Sequence, residues 1–185
     1  MGKQDRLDRK HTALLVIDVQ EKLIKYEERS VEVLQAIQKA IKGFQILQLP
    51  IVVTEQYPQG LGSTVAGLKC LLGDQQRYLT KTTFSCLGDP SLKNEIQAMG
   101  IKQWVIVGIE AHVCVLQTAK DLIREGIDVV VLNDAITSRS IYDFSTAIAE
   151  MRDDGIRISS TETILFELLG NSEAPEFKKI SQLVK

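Results

Sequence analysis

The sequence has few of the residues from which metal clusters and disulfide frameworks are built. It contains two histidines, His11 and His112, and three cysteines, Cys70, Cys86 and Cys114. The cysteines are odd in number and widely spaced, so they predict neither a disulfide framework nor a C-x-x-C redox or zinc pair. Free thiols of this kind are typical of proteins in a reducing compartment, and we expect a cytoplasmic protein.

Long apolar runs and an excess of charge of one sign are also missing. No run approaches the roughly 20 apolar residues of a membrane span, and the first ten residues contain no signal-peptide core. The formal net charge of −2 favours neither nucleic acid nor an anionic membrane as a partner. We therefore expect a protein that acts on a small molecule, with no nucleic-acid partner and no membrane partner.

The sequence does contain a regular alternation of apolar runs and helical periodicities. The predicted strands cover 12–19, 51–54, 77–80, 104–107, 128–132 and 156–159. The predicted helices cover about 31–48, 64–72, 92–99, 113–126, 142–153 and 161–169, with an amphipathic tail over 175–185. Strands that are apolar throughout are typical of a parallel sheet buried on both faces. The alternation predicts a three-layer α/β/α fold with a mostly parallel central sheet.

The length is suited to one domain that spans residues 1–185, in which residues 1–11 form a polar N-terminal lead. Ser30 is predicted to cap the first helix. Strand 128–132 is predicted to end at a polar segment that begins with Asn133. A Gly-x-Gly at positions 60–62 is too short for a nucleotide-binding fingerprint and predicts a turn.

Three chemically competent side chains fall at predicted strand ends. Asp18 lies near the end of the first apolar run, Lys81 follows strand 77–80, and Cys114 comes after strand 104–107 where a helix begins. Ligands of open parallel sheets bind at the carboxyl ends of the strands. A helix N-terminus and a nearby ammonium would both lower the pKa of a thiol. A cysteine nucleophile, a carboxylate that takes its proton and an ammonium form a coherent set for acyl transfer.

Each of these residues also has an ordinary structural interpretation. Cysteines are most often small buried hydrophobes, an aspartate after a strand can form a turn, and a single lysine is usually on the surface. His112 lies two residues from Cys114. On a helix it would face another side, so we interpret it as pocket-lining or structural and not as the base.

Four segments, taken in chain order, resemble the isochorismatase-like cysteine hydrolases. They are LLVIDVQ, LTKTTFSC, VIVGIEAHVCV and VLNDAITSR, and the similarity covers nearly the whole chain. The resemblance implies the isochorismatase-like hydrolase fold and a catalytic triad of Asp18, Lys81 and Cys114. It also implies a cis peptide bond between Ile109 and Glu110, and an oxyanion hole formed by the backbone N–H groups of Glu110 and Cys114.

The chain departs from two branches of that family. Nicotinamidases carry an Asp-x-His metal cluster after the second strand, where this chain has Glu55-Gln56-Tyr57, so we expect no metal and no cofactor. True isochorismatases lack the cysteine. The resemblance thus implies a metal-independent cysteine hydrolase. Its expected reaction is hydrolysis of a C–N bond in a small amide, carbamoyl or ureido compound through a thioester intermediate.

Further expectations concern the surroundings of the triad. Tyr57, Phe84 and His112 are predicted to line the pocket, whereas Cys70 and Cys86 are interpreted as structural or surface thiols. The resemblance implies a homo-oligomer. Two alternatives remain open, namely a non-catalytic binding or scaffold protein that keeps the fold, and a thiol redox protein that uses Cys114 with Cys86 close in space.

The last of the four segments contains Asn133, Asp134 and Arg139. These residues match a stretch that the family shares. We expect a structural or subunit-contact role for them, and not a catalytic one.

Overall fold

The computed structural model describes residues 6–185, and within them a six-stranded sheet is flanked by eight α-helices. The strands are β1 (Thr12–Ile17), β2 (Ile51–Gln56), β3 (Tyr78–Lys81), β4 (Gln103–Ile109), β5 (Asp128–Thr137) and β6 (Arg157–Ser159). The helices are α1 (Ser30–Ile46), α2 (Pro58–Leu61), α3 (Ala66–Leu72), α4 (Pro90–Ala98), α5 (Leu116–Arg124), α6 (Ile141–Asp153), α7 (Thr161–Leu169) and α8 (Phe177–Val184). Shorter turns are the 3₁₀ helices Ile24–Tyr26 and Cys86–Gly88 and a π-helical turn, Ala111–Val115.

All neighbouring strands run parallel, in the order β3-β2-β1-β4-β5-β6. The predicted three-layer α/β/α fold with a parallel sheet is confirmed. The strand order reverses between β1 and β4, and the crevice outside the carboxyl ends of two such strands is the usual binding site of an open sheet. Asp18 follows β1 and Cys114 follows β4, so both residues flank that crevice.

The apolar runs of the central strands supply both faces of the sheet. On β1, Leu14 and Val16 pack into the core shared with α1, α3, α7 and α8. Leu15 and Ile17 face the opposite side and join the core under α4, α5 and α6. Because successive side chains of a strand point to opposite faces, a strand covered on both sides must be apolar at every position, as the sequence pattern predicts.

The prediction that the fifth strand ends at Leu132 is wrong, since β5 continues to Thr137. Ile106 of β4 pairs with Val131, but Gly108 pairs with Ile136, so the polar residues of this stretch lie in a bulge inside the strand. The bulge gives Asp134 a structural role. Its carboxylate accepts hydrogen bonds at 3.0 and 3.1 Å from the backbone N–H of Thr161, at the start of α7.

The predicted cap of the first helix is wrong. Ser30 is the first residue of α1 and not its cap, because the chain turns into the helix at Arg29, which has a φ of 51°. The polar lead packs against the domain, since Leu7 is buried in the core and the Arg9 guanidinium donates to the carbonyl of Leu168. The first five residues of the lead lie outside the described part of the chain.

The remaining elements are close to their predicted positions. The amphipathic tail forms α8, and the Gly-Pro-rich loop after β2 contains the single helical turn α2. Within residues 6–185, no helix is both long enough and apolar enough to cross a membrane.

Candidate active site

A buried ion pair lies at the carboxyl end of β1. Asp18 is 0% exposed, and its Oδ2 accepts a hydrogen bond of 2.7 Å from Lys81 Nζ. Its other oxygen, Oδ1, accepts from Thr54 Oγ1 at 2.8 Å. A buried pair of charges is stable only when its geometry is good and its remaining polar atoms are hydrogen-bonded. Both carboxylate oxygens of Asp18 meet that condition.

The backbone aims the Asp18 side chain into the crevice. Asp18 has a φ of 53°, in the left-handed region that aspartate tolerates better than most residues. Its N–H donates to the carbonyl of Thr54 at 3.2 Å, and its own carbonyl accepts from the N–H of Gln20 at 2.8 Å. The chain therefore leaves β1 through a fixed turn, with the carboxylate held between β1 and β2.

Lys81, the last residue of β3, has its ammonium held by four oxygens. Besides Asp18, the Nζ donates to Gln56 Oε1 at 2.7 Å and to the carbonyls of Phe84 and Thr83 at 3.0 and 3.2 Å. Burial alone would lower the pKa of Lys81, but the Asp18 carboxylate opposes this effect, and that pKa is raised overall. Lys81 is therefore an ammonium at neutral pH.

Cys114 lies in the π-helical turn that follows β4. The backbone N–H groups of Val113 and Val115, on either side of it, both donate to the carbonyl of Glu110, at 3.1 and 3.2 Å. The residue is 6% exposed and belongs to the core under α5 and α6. The thiol is thus fixed at the top of a packed layer beside the end of β4.

The pKa of Cys114 is raised, whereas the sequence predicted that it would be lowered. Burial raises the pKa of Cys114 strongly, the Asp18 carboxylate raises it further, and Lys81 opposes both without reversing them. The physical reason is that the ammonium already has a counter-charge in Asp18 at 2.7 Å. The resting side chain is therefore a thiol.

Gly108 brings β4 close to β1 at Ile17, the residue before Asp18. It has a φ of 129°, and a Cβ at this position would lie 2.1 Å from the carbonyl oxygen of Ile17. The predicted strand 104–107 ends before Gly108, whereas β4 continues through Gly108 to Ile109. Only glycine allows this approach. The next peptide bond, Ile109–Glu110, is cis, as the resemblance implies.

The cysteines other than Cys114 lie in different surroundings. Cys70 is exposed. Cys86 is fully buried, and burial raises the pKa of its thiol to about 11. The Cys86 thiol lies near enough to Lys81 and Cys114 to affect the pKa values of both. Its interpretation as a structural or surface thiol missed this position beside the ion pair.

The three predicted pocket residues take different places. Tyr57, 53% exposed, lines a cavity of about 240 Å³ together with Lys81 and Thr82. Phe84 is 54% exposed, and it reaches Lys81 through its backbone carbonyl. His112 Nδ1 lies 2.9 Å from Ser138 Oγ. This contact fits the structural role, which was one of the two interpretations of His112.

Two residues of β2, Thr54 and Gln56, hold Asp18 and Lys81 and were not among the predicted site residues. The signal was present, because the last residues of this strand, Thr54-Glu55-Gln56, are polar and lie at a carboxyl end. Predicting the strand to end at Thr54 placed Gln56 in a loop. Gln56 is in turn fixed by Gln20, whose Oε1 accepts from its N–H at 2.7 Å and whose Nε2 donates to its carbonyl at 2.9 Å.

Glu55 stands where nicotinamidases begin their metal cluster, and here it has a structural partner. Its Oε1 accepts from the backbone N–H and the hydroxyl of Thr64 at 2.7 and 2.8 Å. Among residues 6–185, no group of three or more His, Cys, Asp or Glu side chains is arranged to hold a metal ion.

Comparisons with known proteins agree with this architecture. The chain matches the isochorismatase domain over residues 12–163. Isochorismatase domain-containing protein 2 of Xenopus laevis is 34% identical over 180 residues, which cover 97% of this chain and 86% of the relative. The structure of the MAR1 ribonuclease from Caenorhabditis elegans superposes with a TM-score of 0.91 at 37% identity, covering 97% of this chain and 92% of that chain.

A more distant structure shares the fold alone. The YcaC gene product of Escherichia coli, described as an octameric hydrolase of unknown specificity, has a TM-score of 0.91 at 22% identity. The alignment covers 99% of this chain and 91% of that chain. The domain match spans most of the sequence, and the relatives above 30% identity cover nearly all of it. The chain therefore belongs to the isochorismatase domain family.

Proposed function

We propose that the protein is a metal-independent cysteine hydrolase that cleaves a C–N bond in a small amide, carbamoyl or ureido compound through a thioester intermediate. Membership of the isochorismatase family supports a hydrolase function in general. The observation that carries the finer proposal is the buried ion pair of Asp18 and Lys81, with its N–O distance of 2.7 Å, beside the thiol of Cys114.

The first step requires a base, because Cys114 rests as a thiol. In our mechanism the Asp18 carboxylate takes the thiol proton while Sγ attacks the carbonyl carbon of the substrate. Thr54 and Lys81 fix the Asp18 oxygens at 2.8 and 2.7 Å. As the proton moves to Asp18, the negative charge moves to sulfur and then to the substrate oxygen, still close to the Lys81 ammonium.

The negative oxygen formed by the attack needs preorganised donors. We assign this role to the backbone N–H groups of Glu110 and Cys114. The turn that carries them is held by the Glu110 carbonyl, which accepts from Val113 and Val115. A donor set fixed before the reaction needs no reorganisation when charge develops.

The tetrahedral intermediate then collapses. The C–N bond breaks, the amine or ammonia leaves with the proton that Asp18 took from the thiol, and the acyl group stays on sulfur as a thioester. Water then attacks the thioester, and Asp18 accepts the proton of the water. The sulfur leaves the carbonyl carbon and regains that proton, so the acid product and the free Cys114 thiol are released.

The test is a release assay for ammonia or amine over a panel of carboxamides, carbamoyl compounds and ureido compounds. We expect turnover of at least one class by the wild-type protein, none by Cys114→Ala, and full turnover by Cys70→Ala, which removes an exposed cysteine. Full activity in Cys114→Ala would refute the mechanism. No release across the panel, together with a Cys114 that iodoacetamide does not alkylate, would refute the hydrolase proposal.

A thiol redox function is the second candidate, and the buried position of Cys86 near Cys114 favours it. In that case hydrogen peroxide would oxidise Cys114 to a sulfenic acid with release of water. The Cys86 thiol would then displace a second water to form a disulfide. Mass spectrometry after peroxide treatment tests this, since a Cys86–Cys114 disulfide that accumulates with no amide turnover would favour the redox function.

The worm structure is named a ribonuclease, so RNA is a necessary second substrate panel. For this chain we expect no nucleic-acid partner, because its formal net charge is −2 and phosphate contacts depend on clustered basic residues. RNA cleavage that is lost in Cys114→Ala would contradict that expectation.

We also propose that the protein forms a homo-oligomer. One structural neighbour is described as octameric, which supports this proposal. A monomer by analytical ultracentrifugation at micromolar concentration would contradict the proposal.

A further inference from the structure

A second cavity, of about 500 Å³, lies beside the turn that carries Cys114. Its lining combines four charged side chains with apolar ones, among them Lys22, Leu23, Glu27, Leu61, Glu110 and Arg139. Glu110 connects this cavity with the candidate active site, because its side chain lines the cavity and its carbonyl holds the turn.

Glu27 is the unusual residue of this cavity. It is 7% exposed, and neither of its carboxylate oxygens has a hydrogen-bond partner in residues 6–185. Burial and the nearby Glu110 carboxylate together raise the pKa of Glu27 to about 7, against a smaller opposing effect of Arg139. An ionised carboxylate that is buried without a partner is strongly unfavourable, so the native environment is incomplete at this point.

The cations of the cavity are already engaged elsewhere. Arg139 Nε donates to Glu110 Oε1 at 2.7 Å, and Lys22 Nζ donates to the carbonyl of Gly60 at 2.8 Å. Neither cation donates a hydrogen bond to Glu27, so its carboxylate accepts none from residues 6–185, in a cavity whose other walls include Leu23 and Leu61.

We propose that this cavity binds a cationic nitrogen group of the substrate, a primary ammonium or a guanidinium, with Glu27 as its counter-charge. The inference rests on the proposed function, because it names the class of amide that the enzyme takes. An ammonium supplies the N–H donors that the Glu27 carboxylate lacks, and the adjoining methylene groups contact Leu23 and Leu61. A metal ion fits less well, since divalent cations need about six oxygen ligands and one of the two carboxylates here is paired with Arg139.

Glu110 comes directly before the turn that carries Cys114, and it also lines the cavity. The two sites are therefore neighbours along the chain, and we expect a small amide whose cationic group is joined to its carbonyl by a short chain.

The binding test uses n-butylammonium as the probe and n-butanol as its neutral counterpart, measured by calorimetry at pH 8. We expect the wild-type protein to bind butylammonium and not butanol, and Glu27→Gln to weaken the binding by about tenfold or more. The matched control is Glu28→Gln, which removes the same charge from the exposed neighbouring residue and should leave the affinity unchanged. Equal affinity in wild type and Glu27→Gln would overturn the proposal.

The turnover test compares 4-aminobutanamide with 4-hydroxybutanamide. We expect a higher kcat/KM for the amino compound in the wild-type protein. Glu27→Gln should reduce this preference about tenfold, through KM. Turnover of both amides without preference, and without butylammonium binding, would refute the cation site and leave the hydrolase proposal intact. Butylammonium binding that depends on Glu27, without turnover of any amide, would refute the hydrolase proposal and leave the cation site intact.

The same measurements would reveal two other occupants of the cavity, and either result would overturn the proposal. Binding of Ca²⁺ or Mg²⁺ in place of butylammonium, lost in Glu27→Gln, would show a metal site. Dissociation of an oligomer in Glu27→Gln, with no amine binding to the wild-type protein, would show that a basic side chain of a second copy fills the cavity.

Discussion

Replacement of Glu27 by glutamine is expected to stabilise the protein above neutral pH and to change its stability little in mild acid. In the folded protein, burial and the nearby Glu110 raise the pKa of Glu27 from 4.5 to about 7. In the unfolded chain the carboxyl titrates at its ordinary value. Glutamine has nearly the shape of the protonated acid and carries no charge at any pH, so the variant isolates the effect of ionisation.

The sign and size follow from proton linkage. Between pH 4.5 and 7 the unfolded chain loses the Glu27 proton while the folded protein retains it, so unfolding becomes easier as the pH rises through this interval. Above pH 7 the decrease in the free energy of unfolding is complete, and its size no longer changes with pH. At about 1.4 kcal/mol per pH unit, the wild-type free energy of unfolding should fall, relative to Glu27→Gln, by about 2–3 kcal/mol between pH 5 and pH 8.

The assay is urea unfolding followed by circular dichroism at pH 5, 6, 7 and 8, for the wild-type protein, Glu27→Gln and Glu28→Gln. The measured quantity is the change with pH of the difference from wild type. Any effect of the glutamine amide on stability that does not depend on pH cancels in this comparison. The difference should grow for Glu27→Gln and remain nearly flat for the exposed Glu28→Gln. A flat difference in both variants would show that the Glu27 carboxylate is paired in the folded protein, which would refute the reasoning.

Three further substitutions test other parts of the structure. Thr54→Val removes the 2.8 Å hydrogen bond to Asp18 and should lower kcat/KM for the amide substrate roughly tenfold, with the urea midpoint little changed. Gly108→Ala places a Cβ 2.1 Å from the carbonyl oxygen of Ile17, and we expect a loss of more than about 3 kcal/mol in urea unfolding, or no soluble protein. Asp134→Ala removes the hydrogen bonds at the start of α7 and should cost about 1 kcal/mol in the same assay.

The sheet could be predicted because its physical signal is local. Each central strand is covered on both faces, so its sequence is apolar at nearly every position, as in β1 and β4 after their first residues, Thr12 and Gln103. The bulge in β5 could not be predicted in this way, because the polar pair Asn133-Asp134 has the composition of a strand end. Only the tertiary hydrogen bonds of Asp134 to Thr161 distinguish a bulge from a turn.

The sequence could place Asp18 and Lys81 at one edge of the sheet, because their positions depend on strand ends. The ends of β1 and β3 place Asp18 and Lys81 within 2.7 Å of each other. The surroundings of the pair depend on side chains from elements distant in sequence, such as Gln56 and Cys86, and a single sequence gives no register between strands. Glu27 was missed for the same reason, since a glutamate before a helix is usually solvated and its burial follows from packing near Glu110.

The pairing of Asp18 with Lys81 also explains why a lysine is useful in a site whose nucleophile rests as a thiol. If Lys81 were replaced by methionine, Asp18 would be a buried carboxylate without a counter-charge, a state that proteins avoid by protonating the group. A protonated Asp18 cannot accept the proton of Cys114. In the proposed mechanism the ammonium thus acts mainly on the base, by keeping it ionised, and only secondarily on the thiol. Lys81→Met should therefore abolish turnover even though Cys114 and the N–H groups beside it remain in place.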